Sequence, residues 1–143
     1  MITQEELQQK TIDLVVCGAH LSGMALNPQL LDRGAVLIST TTSAPCYKLY
    51  VIADQPPLRR PAMVRVSDGG VAIPVEVWRL SAAAFGDFVS QIPAPLGIGK
   101  VLLADGTQVS GFIAEAIAQD GAVDISHLGG WRAYIASLSA SNS

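Results

Sequence analysis

The chain has 143 residues, half of them apolar and only 15% charged, a balance that excludes disorder and charged fibrous architectures and is sufficient for one hydrophobic core. With 9 Lys and Arg against 12 Asp and Glu, a net charge of -3 and no basic run, it gives a nucleic-acid backbone nothing to hold, so DNA and RNA are excluded as partners. Apolar stretches such as Leu14 to Ala19 and Val101 to Ala104 fall far short of the roughly 18 to 20 residues of a membrane helix, and the opening MITQEELQQK is no secretory signal; no membrane association and a cytoplasmic location are expected.

In chain order, Thr3 and Glu6 have capping-box spacing, which predicts a short polar helix over Gln4 to Lys10 within a linker of residues 1–11. One domain is expected over 12–138. Ile12 to Cys17 is a β-branched apolar run that predicts a buried strand ending at Gly18. After the loop, Asn27 is the expected cap of a short helix with Pro28 at its first position and Gly34 at its left-handed end. Strands are predicted over Ala35 to Thr42, Tyr47 to Ala53 and Met63 to Val66, with an irregular QPPLRRP connection between the last two.

The turn Asp68-Gly69-Gly70 leads into a predicted strand from Val71 to Leu80, where Pro74 indicates an edge or a bulge. Ser81 is the expected cap of a helix from Ala82 to about Gln91. Pro93, Pro95, Gly97 and Gly99 indicate an irregular segment, followed by a hairpin of Lys100 to Ala104 and Val109 to Ala118 about Asp105-Gly106. Trp131 to Leu138 is predicted as an amphipathic helix and 139–143 as a flexible tail. About seven strands with three short helices predict an α+β domain built on a small, mostly antiparallel β-barrel with flanking short helices.

Few residues carry chemistry. Cys17 and Cys46 lack a CxxC spacing and read as buried thiols. The two histidines, His20 and His127, form no metal-ligand cluster, so neither a metal site nor another cofactor is expected. The segment from Gly18 to Met24 joins a strand to a helix, where backbone N–H groups can converge on an anion, or where a plain glycine turn can sit. His20 in that loop is either a proton donor near neutral pH or a hydrogen-bonded structural residue. Glu76 and Glu115 are strand acids expected to face water unless they pair in a barrel mouth, and Arg79 and Lys48 are expected on solvated faces unless they serve as counter-charges. Mean hydropathy of +0.38 with so few charges implies a covered apolar face, such as a homo-oligomer contact or a docking surface for another domain.

The segments CGAHLSGMALN, APCYKLY, VEVWRL, IPAPLGIGKVLLADGTQVSGFIAEA and DISHLGGWRAY resemble, in the same order, the C-terminal domain of allophanate hydrolase. The resemblance implies a fold similar to the gamma-glutamylcyclotransferases, in which Cys17 to Leu21 take the place of a substrate-holding loop. The catalytic glutamate of the cyclotransferases has no counterpart, since the matching region reads Gln91-Ile92-Pro93-Ala94-Pro95-Leu96. This departure counts against cyclotransferase activity.

What the resemblance implies instead is decarboxylation of the N-carboxylated product that an amidase domain or chain makes from allophanate during urea breakdown. His20 corresponds to the family's catalytic histidine and is expected to act as general acid. The expected ligand is a small anionic ureido or carboxylate compound, held by Gly18, Ala19, Leu21 and Ser22, with Gly97 and Gly99 either closing over the same mouth or forming a rigid structural loop. The alternatives are a non-catalytic assembly or dimerisation module for an amidase, and a diverged cyclotransferase-like enzyme.

Overall fold

The run TIDLVV forms the central strand of the molecule, β1 (Thr11–Val16), and its last three residues are buried. The computed structural model describes residue 3 and residues 10–52 and 59–141. Most of the helix predicted over Gln4 to Lys10, and most of the QPPLRRP connection, lie outside the described residues.

β1 is flanked on both sides. It pairs antiparallel with β5 (Pro74–Ser81), from Thr11 opposite Ser81 to Val16 opposite Glu76, and parallel with β7 (Gln108–Ala114) at Val15 opposite Gly111. With β2 (Val36–Thr42) and β6 (Leu96–Leu102) at the edges, the sheet runs β2-β5-β1-β7-β6. A strand laddered on both flanks and covered on both faces reads as an unbroken apolar run rather than an alternation. The second sheet has the order β4-β3-β8, from Arg60–Arg65, Tyr47–Ile52 and Val123–Asp124.

The α+β architecture is as expected, but the strands make two sheets and not one closed barrel. The larger sheet curls until its edge strands meet at a single bridge, Ser43 opposite Leu103. There the Ala44 N–H donates to the Leu102 carbonyl at 2.9 Å and the Ala104 N–H to the Thr42 carbonyl at 3.1 Å. One bridge is a seam, too short to be a ladder.

Among the described residues three helices cover this frame: α1 (Asn27–Leu31), α2 (Ala82–Val89) and α3 (Trp131–Ser141). Ser81 caps α2 as predicted, its hydroxyl accepting the Ala84 N–H at 3.1 Å. α1 ends as the sequence indicates: Gly34, at φ +73°, lets its N–H reach the Leu31 carbonyl and the Ala35 N–H reach the Leu30 carbonyl, both at 3.0 Å. Phe88 of α2 and Trp131 of α3 are buried and join a core that includes Leu14, Val16, Tyr47, Leu49 and Ile73. No helix among the described residues is long and apolar enough to cross a membrane.

Several boundaries differ from expectation. Pro74 opens β5, where a strand needs no ladder donor, and β5 lies between β2 and β1 and not at an edge. The bulge is in β2, between Leu37 and Ser39. The Gly97 to Gly99 segment is not irregular: β6 begins at Leu96, because the two prolines precede it and Gly99 lies under the Ile113 side chain of β7. β7 stops at Ala114 and gives way to a short 3-10 turn, Ala116–Gln119. The helical backbone of α3 continues past Leu138 to Ser141. The two-residue β8 has no sequence signal of its own.

Candidate functional site

The loop from Gly18 to Leu26 leaves the buried end of β1 and folds into successive tight turns. Leu21 N–H donates to the Gly18 carbonyl at 2.9 Å, Met24 N–H to the Leu21 carbonyl at 2.9 Å, and Leu26 N–H to the Ala19 carbonyl at 2.8 Å. Gly18 is required by a close approach, since a Cβ there would stand 2.0 Å from Cγ of Pro61. Asn27 does not cap α1, whose cap position is Leu26. Its buried side chain instead donates from Nδ2 to the His20 carbonyl at 3.0 Å and so binds the helix start to the loop.

His20 sits between two phenyl rings, edge-on to Phe88 at 5.0 Å and stacked on Phe112 at 5.1 Å. Its Nε2 lies 2.8 Å from Oε1 of Gln29. An amide oxygen only accepts, so Nε2 carries the proton. Burial pushes the imidazole below its ordinary 6.5; the Gln29 acceptor opposes this and the nearby Arg33 charge adds to it. The ring is therefore mainly neutral at pH 7. Arg33 is held 2.8 Å from the Asp87 carboxylate, which ties the turn after α1 to α2, and its guanidinium lies 5.6 Å from the Phe88 centroid.

His20 forms part of the wall of a cavity of about 280 Å³, with Gln29, Gln91 and Arg60 as its other polar residues and Phe88 and Leu96 among the apolar ones. A narrower recess of about 40 Å³ continues toward Cys17, Gly18 and Ala19 beneath Pro61. The arrangement combines an apolar slot, a titratable imidazole and an arginine, which suits a small anion that has to gain or lose a proton.

The expected site residues are only partly brought together. Gly18, Ala19 and His20 border the cavity and its recess. Leu21 is buried and its N–H is used within the loop, while the Ser22 N–H donates to Oε1 of Glu76 at 2.7 Å. The amides of Ala19 and His20 have no partner among the described residues. Gly97 and Gly99 lie in β6 and do not line the His20 cavity, whereas Pro93 and Leu96 from the same segment do.

Glu76 does not face water; it is 3% exposed and accepts from Ser22, Trp78 and Arg132. Arg79 pairs with Asp13 at 2.8 Å and Lys48 lies 3.8 Å from Asp124, both away from the cavity. Cys17 is buried and its thiol is pushed up to about 12, which removes it as a nucleophile. No group of three potential metal ligands occurs among the described residues. Sequence reading missed Arg60, which looked like part of an irregular connection, and Gln29, an ordinary helix residue in the sequence.

By architecture the chain has the fold of the gamma-glutamyl cyclotransferases: a solved gamma-glutamyl cyclotransferase superposes with a TM-score of 0.53 over 74% of this chain and 68% of its own, at 11% identity, a likeness of fold alone. The family is more specific. The sequence model described as "Allophanate hydrolase C-terminal domain" matches residues 12–136, and the chain belongs to that family. It is 39% identical to the urea amidolyase of Saccharomyces cerevisiae over 131 residues, which is 90% of this chain and 7% of that protein.

The solved allophanate hydrolase of Kluyveromyces lactis superposes with a TM-score of 0.86 at 38% identity, over 96% of this chain and 22% of that one. A protein described as specific to uropathogenic E. coli superposes with a TM-score of 0.81 at 36% identity, over 90% of this chain and 98% of its own. The chain thus spans a small fraction of the urea amidolyase and allophanate hydrolase and nearly all of the E. coli protein.

Proposed function

We propose that this domain decarboxylates the N-carboxylated product of an allophanate amidase, with His20 as the proton donor. Hydrolytic loss of ammonia from allophanate leaves a nitrogen carrying two carboxylates. In the step proposed here that nitrogen gains a proton, one C–N bond breaks with its electron pair remaining on nitrogen, CO2 departs and carbamate is left. The amides of Ala19 and His20 and the charge of Arg60 hold the carboxylates, and the phenyl rings of Phe88 and Phe112 exclude water from the breaking bond.

The observation that carries this reading is the seat of His20: a depressed imidazole in the wall of an arginine-bearing cavity. A neutral ring gains a proton as a dianion comes beside it, because a nearby negative charge favours the charged form of the ring. Proton loading is then coupled to substrate entry. The free thiols Cys17 and Cys46 suit the reducing interior of a cell, in keeping with a cytoplasmic partner of an amidase.

The test is CO2 release from amidase-generated product by the purified domain. General-acid assistance is worth roughly 10²- to 10⁴-fold, so His20→Ala is expected to lower the rate by about that factor while the far-ultraviolet spectrum is retained. Turnover unchanged in His20→Ala removes the residue from the mechanism.

A second reading, an assembly module that forms homo-oligomers or docks an amidase, is supported by one observation. Leu31, Val36, Leu37 and Ile38 are all exposed, the last three on edge strand β2. Light scattering that finds a stable oligomer, together with no CO2 release above background, favours that reading.

A further inference from the structure

The mechanism above leaves one buried charge without a task. Glu76 in the middle of β5 has a side chain only 4% exposed. Its Oε1 accepts from the Ser22 N–H at 2.7 Å and from Trp78 Nε1 at 3.0 Å, and its Oε2 accepts from Arg132 Nη2 at 3.0 Å. The same Nη2 of Arg132, in the first turn of α3, also donates to the Ser22 carbonyl.

Both backbone polar groups of Ser22 are therefore held by the two halves of one ion pair, and the halves come from elements remote in sequence. Ser22 is itself exposed and lies two residues after His20, at the outer turn of a loop whose other backbone hydrogen bonds are local.

Burying a carboxylate is a poor way to add stability, because an apolar residue of similar volume commonly does as well or better. Here two of the three partners of the carboxylate, the Ser22 N–H and Arg132, have a geometric effect: they fix one end of the His20 loop against the sheet, while Trp78 on the same strand satisfies Oε1. Asn27 fixes the His20 carbonyl from the other end. Arg132 is half exposed, as is one partner of each of the ion pairs Arg33–Asp87 and Arg79–Asp13, but those two pairs do not touch the loop backbone from Gly18 to Leu26.

We propose that Glu76 and Arg132 are positioning residues for His20, whose ion pair clamps the peptide of Ser22 and so holds the imidazole between Phe88 and Phe112 at the cavity wall. The proposal rests on His20 being the proton donor only for its catalytic consequence; the clamp itself is tested without turnover. A ring stacked on Phe112 carries an upfield ring-current shift, which a merely structural loss elsewhere leaves in place.

The experiment uses proton NMR of His20 in the whole chain, recorded well above the imidazole's titration range, with amide exchange at Ser22 and steady-state CO2 release alongside. In Arg132→Met the His20 ring protons are expected to move toward their unstacked positions and the Ser22 amide to exchange at least about tenfold faster. On the decarboxylase reading, kcat is expected to fall about 10- to 100-fold with little change in KM, as for a group displaced by about an ångström. Arg132→Lys restores part of each effect, and Arg79→Gln changes neither the shift nor the exchange.

Where Arg132→Met does not fold, Glu76→Gln serves. It keeps an acceptor for Ser22 and Trp78 but releases Arg132, and a partial loss of the shift is expected. A folded variant of either kind with the His20 shift and Ser22 exchange of the parent overturns the proposal. Displaced His20 signals together with no CO2 release from the parent chain leave the clamp standing and reject the decarboxylase reading.

Discussion

The imidazole of His20 lies on the ring of Phe112 with their planes only 18° apart. A charged ring in that place exchanges much of its water for carbon, which is why burial leads the downward push from 6.5. The folded chain then holds fewer protons on His20 than the unfolded chain just below 6.5, so stability rises with pH across that window. His20's contribution is complete above about pH 6.5 and is lost as the pH falls below it. In His20→Gln that part of the profile flattens. Urea midpoints collected from about pH 7.5 to 5 check this, and identical slopes in parent and variant contradict it.

Gln29 sets the other side of the imidazole's balance. A carboxylate in its place, 2.8 Å from Nε2, favours the protonated ring. Gln29→Glu is expected to move the His20 titration upward by about 1 to 3 units, as read by NMR of the ring carbons. It also brings negative charge to the cavity wall, so KM for an anionic substrate increases. A titration that stays put shows that the His20–Gln29 hydrogen bond does not persist in solution.

The cysteines differ in reactivity. Cys17 is buried with its thiol pushed up to about 12, whereas Cys46 is partly exposed. With iodoacetamide under native conditions, mass spectrometry is expected to find label on Cys46 alone. Cys17 reacts only after denaturation. Early labelling of Cys17 indicates that the β1 end opens far more readily than its packing implies.

The cap of α2 gives a stability prediction clear of the cavity. Ser81→Ala leaves the Ala84 N–H without its acceptor and costs about 1 kcal/mol. For a domain of this size that lowers the thermal midpoint by about 3 to 5 °C. A calorimetric shift below about 1 °C shows that water replaces the cap at no net loss.

Local signals carried well from sequence to structure. The β-branched run of β1, the Gly34 end of α1 and the Ser81 cap of α2 each depend on neighbours a few positions away, and each is found. The loop bearing His20 was legible for the same reason, and the resemblance to the family gave it a role. Relationships made by topology were not legible. Glu76 alternates with valines as a water-facing residue would, yet β5 lies between two strands, and Arg132, the partner that makes its burial tolerable, is far along the chain. Arg60 was hidden in a proline-rich stretch. Gly97 and Gly99 suggested an open loop because glycine disfavours strands, and only the Ile113 side chain over Gly99 explains why β6 includes them.

The two edge strands bear on how such a site can diversify. Arg60 opens β4 and Leu96 opens β6, each an outermost strand of its sheet, while the His20 loop issues from β1 at the centre. Two residues of the cavity wall are thus mounted on margins with a single ladder, and His20 follows the central strand of the frame. Changes at the margin can reshape the cavity wall without disturbing the seat of His20.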